Sequence, residues 1–198
     1  MLSAVVLGLA QGIQHSFEPD HLAALSTLVG DRRGAWRCAQ LGAIWGVGHT
    51  STLCLVGACV LAVDAGLPDS ADHVFKLAVG VFLVALGIRS MLPPRRPQAS
   101  RAIRTPVQAM LVGMLHGLAG SSGLIALAVA ALPTFAARIV YIAVFGLGSI
   151  GGMAGVSALA GIGFGAVRDD VFALVRVPLG IVTAAIGVQS IATGWAGL

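Results

Sequence analysis

The sequence predicts an all-α integral membrane protein, with six transmembrane helices arranged as a 3+3 inverted repeat and the first helix broken near Pro19. Three observations carry this expectation. The chain of 198 residues is 57% hydrophobic and only 10% charged, with a mean hydropathy of +0.93. Charged residues make up about a quarter of an average soluble chain, so the solvent of this one is a bilayer. Its apolar residues fall into six stretches of about the 20 residues a spanning helix needs, without the polar/apolar alternation of barrel strands. The two halves of the chain also repeat one another.

The first span covers roughly residues 3–29. It lacks a basic leading region and carries the polar heptapeptide 15-HSFEPDH-21, so it reads as retained, not as a cleaved signal peptide. Pro19 lacks an N–H and clashes with the carbonyl of residue 15, so the helix must kink or unwind there, freeing backbone carbonyls as additional ligands. The remaining spans cover roughly 39–63, 73–92, 107–131, 135–163 and 171–194. Pro93, Pro94, Pro97 and Pro106 bracket the longest loop. One transmembrane domain over 1–198 is expected, with halves of about 1–92 and 107–198 joined by the basic, Pro/Arg-rich cytoplasmic segment 93–106. The 27 glycines suit close helix packing in lipid.

Ten of the twelve basic residues lie in three regions on one side: Arg32, Arg33 and Arg37; Arg89, Arg95, Arg96, Arg101 and Arg104; and Arg168 and Arg176. The other side holds Lys76 and Arg138, beside Asp64, Asp69 and Asp72. The positive-inside rule then puts both termini outside the cytoplasm. The pI of about 9.6 reports this loop asymmetry and not a nucleic-acid partner. Cys38, Cys54 and Cys59 form no metal or disulfide pattern.

The repeat is visible at an offset of 100 residues. Gly46-Val47-Gly48 matches Gly146-Leu147-Gly148, and 85-ALGIRS-90 matches 185-AIGVQS-190. Gly80 matches Gly180. Near the start of each half, Gly8-x3-Gly12 aligns with Gly113-x3-Gly117. Three spans per half is an odd number, so the second copy is inverted in the membrane. That plan recurs in transporters, with the substrate site near the midplane.

Polar residues gather at that depth. The first span centres near residue 16 and carries His15, Glu18, Asp20 and His21. The second centres near 51 and carries His49 and Thr50 in 48-GHTST-52. The fourth centres near 119 and carries His116, Ser121 and Ser122. A charge at the bilayer centre costs about 2.5–3.5 kcal/mol on insertion scales, so these groups must pair, face water or bind a cation. The bland alternative is a closed hydrogen-bond network locking three helices. In a straight helix His15 and His21 would point about 120° apart; a break at Pro19 brings them together. Imidazole suits first-row transition metals and carboxylate tolerates harder ions. No thiolate lies among the histidines, which disfavours Cu(I), and the carboxylates are too few for Ca²⁺. The residues themselves lead to a divalent transition metal and no further.

The spacing His15-x4-Asp20-His21 resembles the HX4DH signature of the nickel/cobalt permeases. The run 48-GHTST-52 resembles their second motif, and 116-HGLAGSSG-123 is similar to a stretch shared with membrane urease-accessory transporters. The resemblance implies Ni²⁺ or Co²⁺ as substrate, no permanently bound cofactor, and His15, Asp20, His21 and His49 as metal ligands. Glu18, His116, Ser121 and Thr50 are the further lining or gating candidates. It also implies a bacterial inner membrane. This sequence departs from the better-known permeases in Glu18-Pro19, in six spans where many have eight, and in lacking a His-rich loop.

The leading expectation is therefore a metal-ion transporter working by alternating access, its partners a divalent ion and the lipid bilayer. Free imidazole titrates near neutral pH and ligands must lose protons to bind metal, so proton antiport is the coupling to expect. A metal-binding accessory protein or sensor without flux stands as an alternative. An exporter of a small organic solute would call for Lys or Arg at midplane depth, where there is almost none. A thiol-electron carrier would need cysteines in spans one and four, which hold none, and no enzymatic activity is expected.

Overall fold

The computed structural model describes residues 1–28, 34–63, 69–92, 105–119, 132–166 and 169–196. Those residues form seven α-helices and no strand. They are α1 (Leu2–His15), α2 (Pro19–Leu28), α3 (Gly34–Val63), α4 (Asp69–Met91), α5 (Pro106–Ala119), α6 (Phe135–Ala166) and α7 (Asp169–Trp195). The expected second, third, fifth and sixth spans correspond to α3, α4, α6 and α7. Each of these four is long and apolar enough to cross a membrane. The first expected span is two helices, α1 and α2. The fourth is described only as far as α5, and its stretch beyond residue 119 lies outside the described residues. So do Arg32, Arg33, Arg95, Arg96, Arg101, Arg104 and Arg168 of the basic loops.

Among the described residues, many large apolar side chains are exposed and several polar ones are buried. Leu2, Leu147, Leu159 and Leu174 are among the most exposed side chains, while His49, Ser149, Ser157 and Thr183 are buried. In water that exposed surface would aggregate. In lipid it is the ordinary outer face of a bundle, and the small and hydroxylated residues inside permit close helix approach.

The helices pair across the two halves. α3 packs along α6 and α4 along α7; α1 lies on α6 and α5 lies on α3. Glycine sets the separations. A Cβ on Gly8 would meet the backbone of Tyr141 and Phe145, one on Gly113 the backbone of Trp45 and His49, and one on Gly117 the backbone of His49. Contacts at the 100-residue offset are reciprocal. Gly46 faces Ile150 while Gly146 faces Thr50, and Gly87 faces Ala184 while Gly187 faces Val84.

Three apolar clusters surround the middle of this bundle. One joins Ala24, Leu41, Trp45, Ala109 and Met153. A second joins Ala4, Leu53, Tyr141 and Phe145. A third joins Ala23, Val79 and Leu83. The histidines lie among them.

Candidate metal centre

The heptapeptide 15–21 is the joint between α1 and α2. α1 stops at His15, and a tight turn follows. The N–H groups of Ser16, Phe17 and Glu18 donate to the carbonyls of Ile13, Gln14 and His15 at 3.2, 3.0 and 3.1 Å. Pro19 then takes the first position of α2, where a missing N–H costs nothing. The Glu18 carbonyl accepts the first bond of the new helix from Leu22 at 3.0 Å. The break thus falls where proline required it. The carbonyls of Ile13, Gln14 and His15 are not freed by it, because the turn's i to i+3 bonds engage all three.

The turn brings His15 and His21 together. Their ring centroids are 4.5 Å apart, against the wide separation a straight helix would impose. α3, held close by the glycines of α5 and by its crossing with α6, adds His49. His49 lies 5.1 Å from the His15 ring and 5.1 Å from the His21 ring. The His15 and His49 Nε2 atoms are 3.1 Å apart. Metal–imidazole bonds of about 2.0–2.1 Å put two nitrogens about 2.9 Å apart at a right-angled coordination edge and about 3.4 Å apart at a tetrahedral one. The observed separation falls between them. A ring nitrogen from each of His15, His21 and His49 lies within 4.8 Å of the others, and all three side chains are buried.

The carboxylates sit on the outer nitrogens of these rings. Glu18 Oε1 is 2.8 Å from His15 Nδ1 and Glu18 Oε2 is 4.0 Å from His21 Nδ1. Asp20 Oδ1 is 3.1 Å from His21 Nδ1. Asp20 therefore groups with Glu18 and His21, a second set of potential ligands that shares His21 with the first. A carboxylate accepting one ring N–H fixes the tautomer and leaves the opposite nitrogen as a lone-pair donor.

Glu18 is half exposed and opens onto a cavity of about 490 Å³, lined also by Gln11, Gln14, His15 and Phe145. Gln11 is held by the Tyr141 hydroxyl, which donates to its Oε1. His116, on α5, is buried 5.6 Å from the His21 ring. Thr50 is engaged elsewhere: its hydroxyl donates to the Gly146 carbonyl at 3.2 Å across the α3–α6 crossing. Ser121 and Ser122 lie outside the described residues.

The motif reading passed over two aromatic walls. Phe145 lies 5.3 Å from His15 and Trp45 lies 5.5 Å from His21. They stand 100 residues apart in the sequence, each just before a Gly-x-Gly, and that match was the available signal.

Comparison with known proteins now bears on this arrangement. The chain is similar to urease accessory protein UreH of Bacillus sp. (strain TB-90), with 31% identity over 179 residues, covering 83% of this chain and 78% of the relative. The chain belongs to the nickel/cobalt transporter family. No protein-family model matches it, and no solved structure does. Membership of this family and the four membrane-capable helices make it a helical membrane protein, and its UreH relative is named as an accessory protein, not as an enzyme.

Proposed function

We propose that the protein carries Ni²⁺ or Co²⁺ across a bacterial inner membrane by alternating access, with His15, His21 and His49 as ligands at the midplane. The observation that supports this most strongly is the meeting of three buried imidazoles from three helices, α1, α2 and α3, with two nitrogens already at coordination spacing. Such a set has no role in packing that leucine would not fill better. It has the borderline-soft donors that divalent late transition metals favour. Asp20 orients His21 through Nδ1. Glu18 orients His15 and, being half exposed, is the first charged group an ion meets from the cavity.

The reading includes a 3+3 inverted repeat, with α1–α2, α3 and α4 in one half and α5, α6 and α7 in the other. Reciprocal glycine contacts at the α3–α6 and α4–α7 crossings support it. So does the mirrored packing of α1 on α6 and α5 on α3. Rocking one half on these smooth, glycine-lined crossings exposes the site to alternate sides. The basic loops put the segment 93–106 in the cytoplasm and both termini outside. Trp36 and Trp195, both largely exposed near helix ends, fit the aromatic belts of the two interfaces.

The accessory name of the relative favours one second reading, a membrane protein that binds the ion for delivery without moving it across. Flux separates the two. In proteoliposomes or cells, His15→Ala and His21→Ala are each expected to abolish Ni²⁺ and Co²⁺ transport while leaving expression intact. Unchanged transport in both variants ends the proposal. Tight binding by the wild-type chain with no flux selects the accessory reading.

A further inference from the structure

We infer that His116, with His21, forms a second ion station, so that the ion is handed from one imidazole set to another along the crossing path. This rests on the transport reading above and deepens it.

Four observations carry the inference. His116 is 2% exposed, yet among the described residues neither of its ring nitrogens has a hydrogen-bond partner. The backbone groups of Val112 and Asp20 lie beside the ring, but neither meets hydrogen-bond distance and angle with a ring nitrogen. Leaving a buried donor or acceptor unpaired costs about 1–3 kcal/mol, so a purely structural histidine here is hard to account for. The orphaned atoms also cluster. His21 Nε2 and His49 Nδ1 are buried and unpartnered as well, although the other nitrogen of each ring is engaged with Asp20 or His15. Thus His21 presents one nitrogen to the carboxylates and leaves the second available.

His21 is also the ring that links the two places. It is 4.5 Å from His15 and 5.6 Å from His116. On one side, His15 and Glu18 border the open cavity. On the other, His116 is enclosed by Trp45 at 5.9 Å and Phe82 at 6.0 Å. Among the described residues, His15 borders the cavity and His21 lies between His15 and His116.

The repeat gives the same order. Gly113-x2-His116-Gly117 stands where the first half has Gly8-x2-Gln11-Gly12. Gln11 lines the open cavity. Under an inverted relation, the matching position in the second half faces the opposite side. His116 is then the counterpart of the cavity's glutamine on the other side, with an imidazole in place of an amide.

The test compares wild type with His116→Leu and His116→Cys in lipid nanodiscs and proteoliposomes, using Co²⁺ alone as the probe. Leucine keeps the bulk and removes the ligand; cysteine restores a metal ligand of different shape. The expected result is Co²⁺ affinity of the His15/His21/His49 site within about threefold of wild type in both variants, since a lost outer partner shifts affinity by about 10–100-fold and His116 is not one for that set. Maximal flux falls at least about tenfold in His116→Leu, with the half-saturating Co²⁺ concentration unchanged. His116→Cys recovers part of the flux, which a merely structural role would not produce. Wild-type flux in His116→Leu overturns the inference and leaves the transport reading standing. Parallel loss of affinity and flux also overturns it, because His116 would then belong to the first ligand set. A wild-type chain that binds no Co²⁺ overturns both.

Discussion

Asp20 offers the sharpest discrimination between the motif and the geometry. The HX4DH resemblance makes it a metal ligand, whereas the structure sets its carboxylate 3.1 Å from His21 Nδ1, outside the group formed by His15, His21 and His49. Asp20→Asn keeps the shape and one acceptor oxygen but removes the charge, and charge-assisted hydrogen bonds are roughly twice as strong as neutral ones. Losing an outer partner of a metal-ligating histidine costs about 10–100-fold in affinity, or about 1.4–2.7 kcal/mol. Ni²⁺ affinity, measured by competition with a chromophoric chelator on protein in nanodiscs, should weaken by that factor in Asp20→Asn, while His21→Ala should lose binding at this site. An affinity equal to wild type refutes the orienting role. A loss as complete as that of His21→Ala refutes the geometry and makes Asp20 a direct ligand.

The helix contacts and the topology yield two more tests. A Cβ at Gly113 would collide with the Trp45 carbonyl and the His49 amide, whereas nothing lies within 4 Å of one at Gly151. Gly113→Ala should therefore cost about 1–3 kcal/mol as overpacking and weaken metal binding by displacing His49; Gly151→Ala should be neutral or stabilise by up to about 1 kcal/mol through helix propensity. Thermal melts of the two variants, with and without Ni²⁺, check this, and equal melting temperatures would contradict it. Reporter fusions should place the segment 93–106 in the cytoplasm and the C-terminus outside; a C-terminal reporter active only in the cytoplasm would reverse the assigned orientation.

Much of the architecture could be read from hydropathy alone, because a helix in lipid must be apolar over its whole span. The expected spans 39–63 and 135–163 correspond closely to α3 and α6. Proline chemistry located the break in the first span, since residue 19 can begin a helix but not continue one. What local sequence could not convey was the fate of the freed carbonyls, which depends on whether the chain unwinds or tightens. It tightened, and the turn at residues 16–18 engaged them. His15, His21 and His49 were legible as a set because ionisable groups in an apolar run must have a reason to be there. The hydroxyl of Thr50 was not, because side-chain direction at a helix crossing is set by the partner helix. Its bond goes to Gly146 on α6. Nor could spacing reveal that Trp45 touches both His21 and His116, a contact between residues on three helices.

X-ray absorption at the nickel edge, paired with anomalous diffraction from a Ni²⁺-loaded crystal, addresses the metal site itself. The expected result is one ion bonded to ring nitrogens of His15, His21 and His49 at about 2.0–2.1 Å, with the Asp20 carboxylate hydrogen-bonded to His21 and not to the ion. An ion lodged elsewhere, or one without imidazole in its coordination, would contradict the proposal.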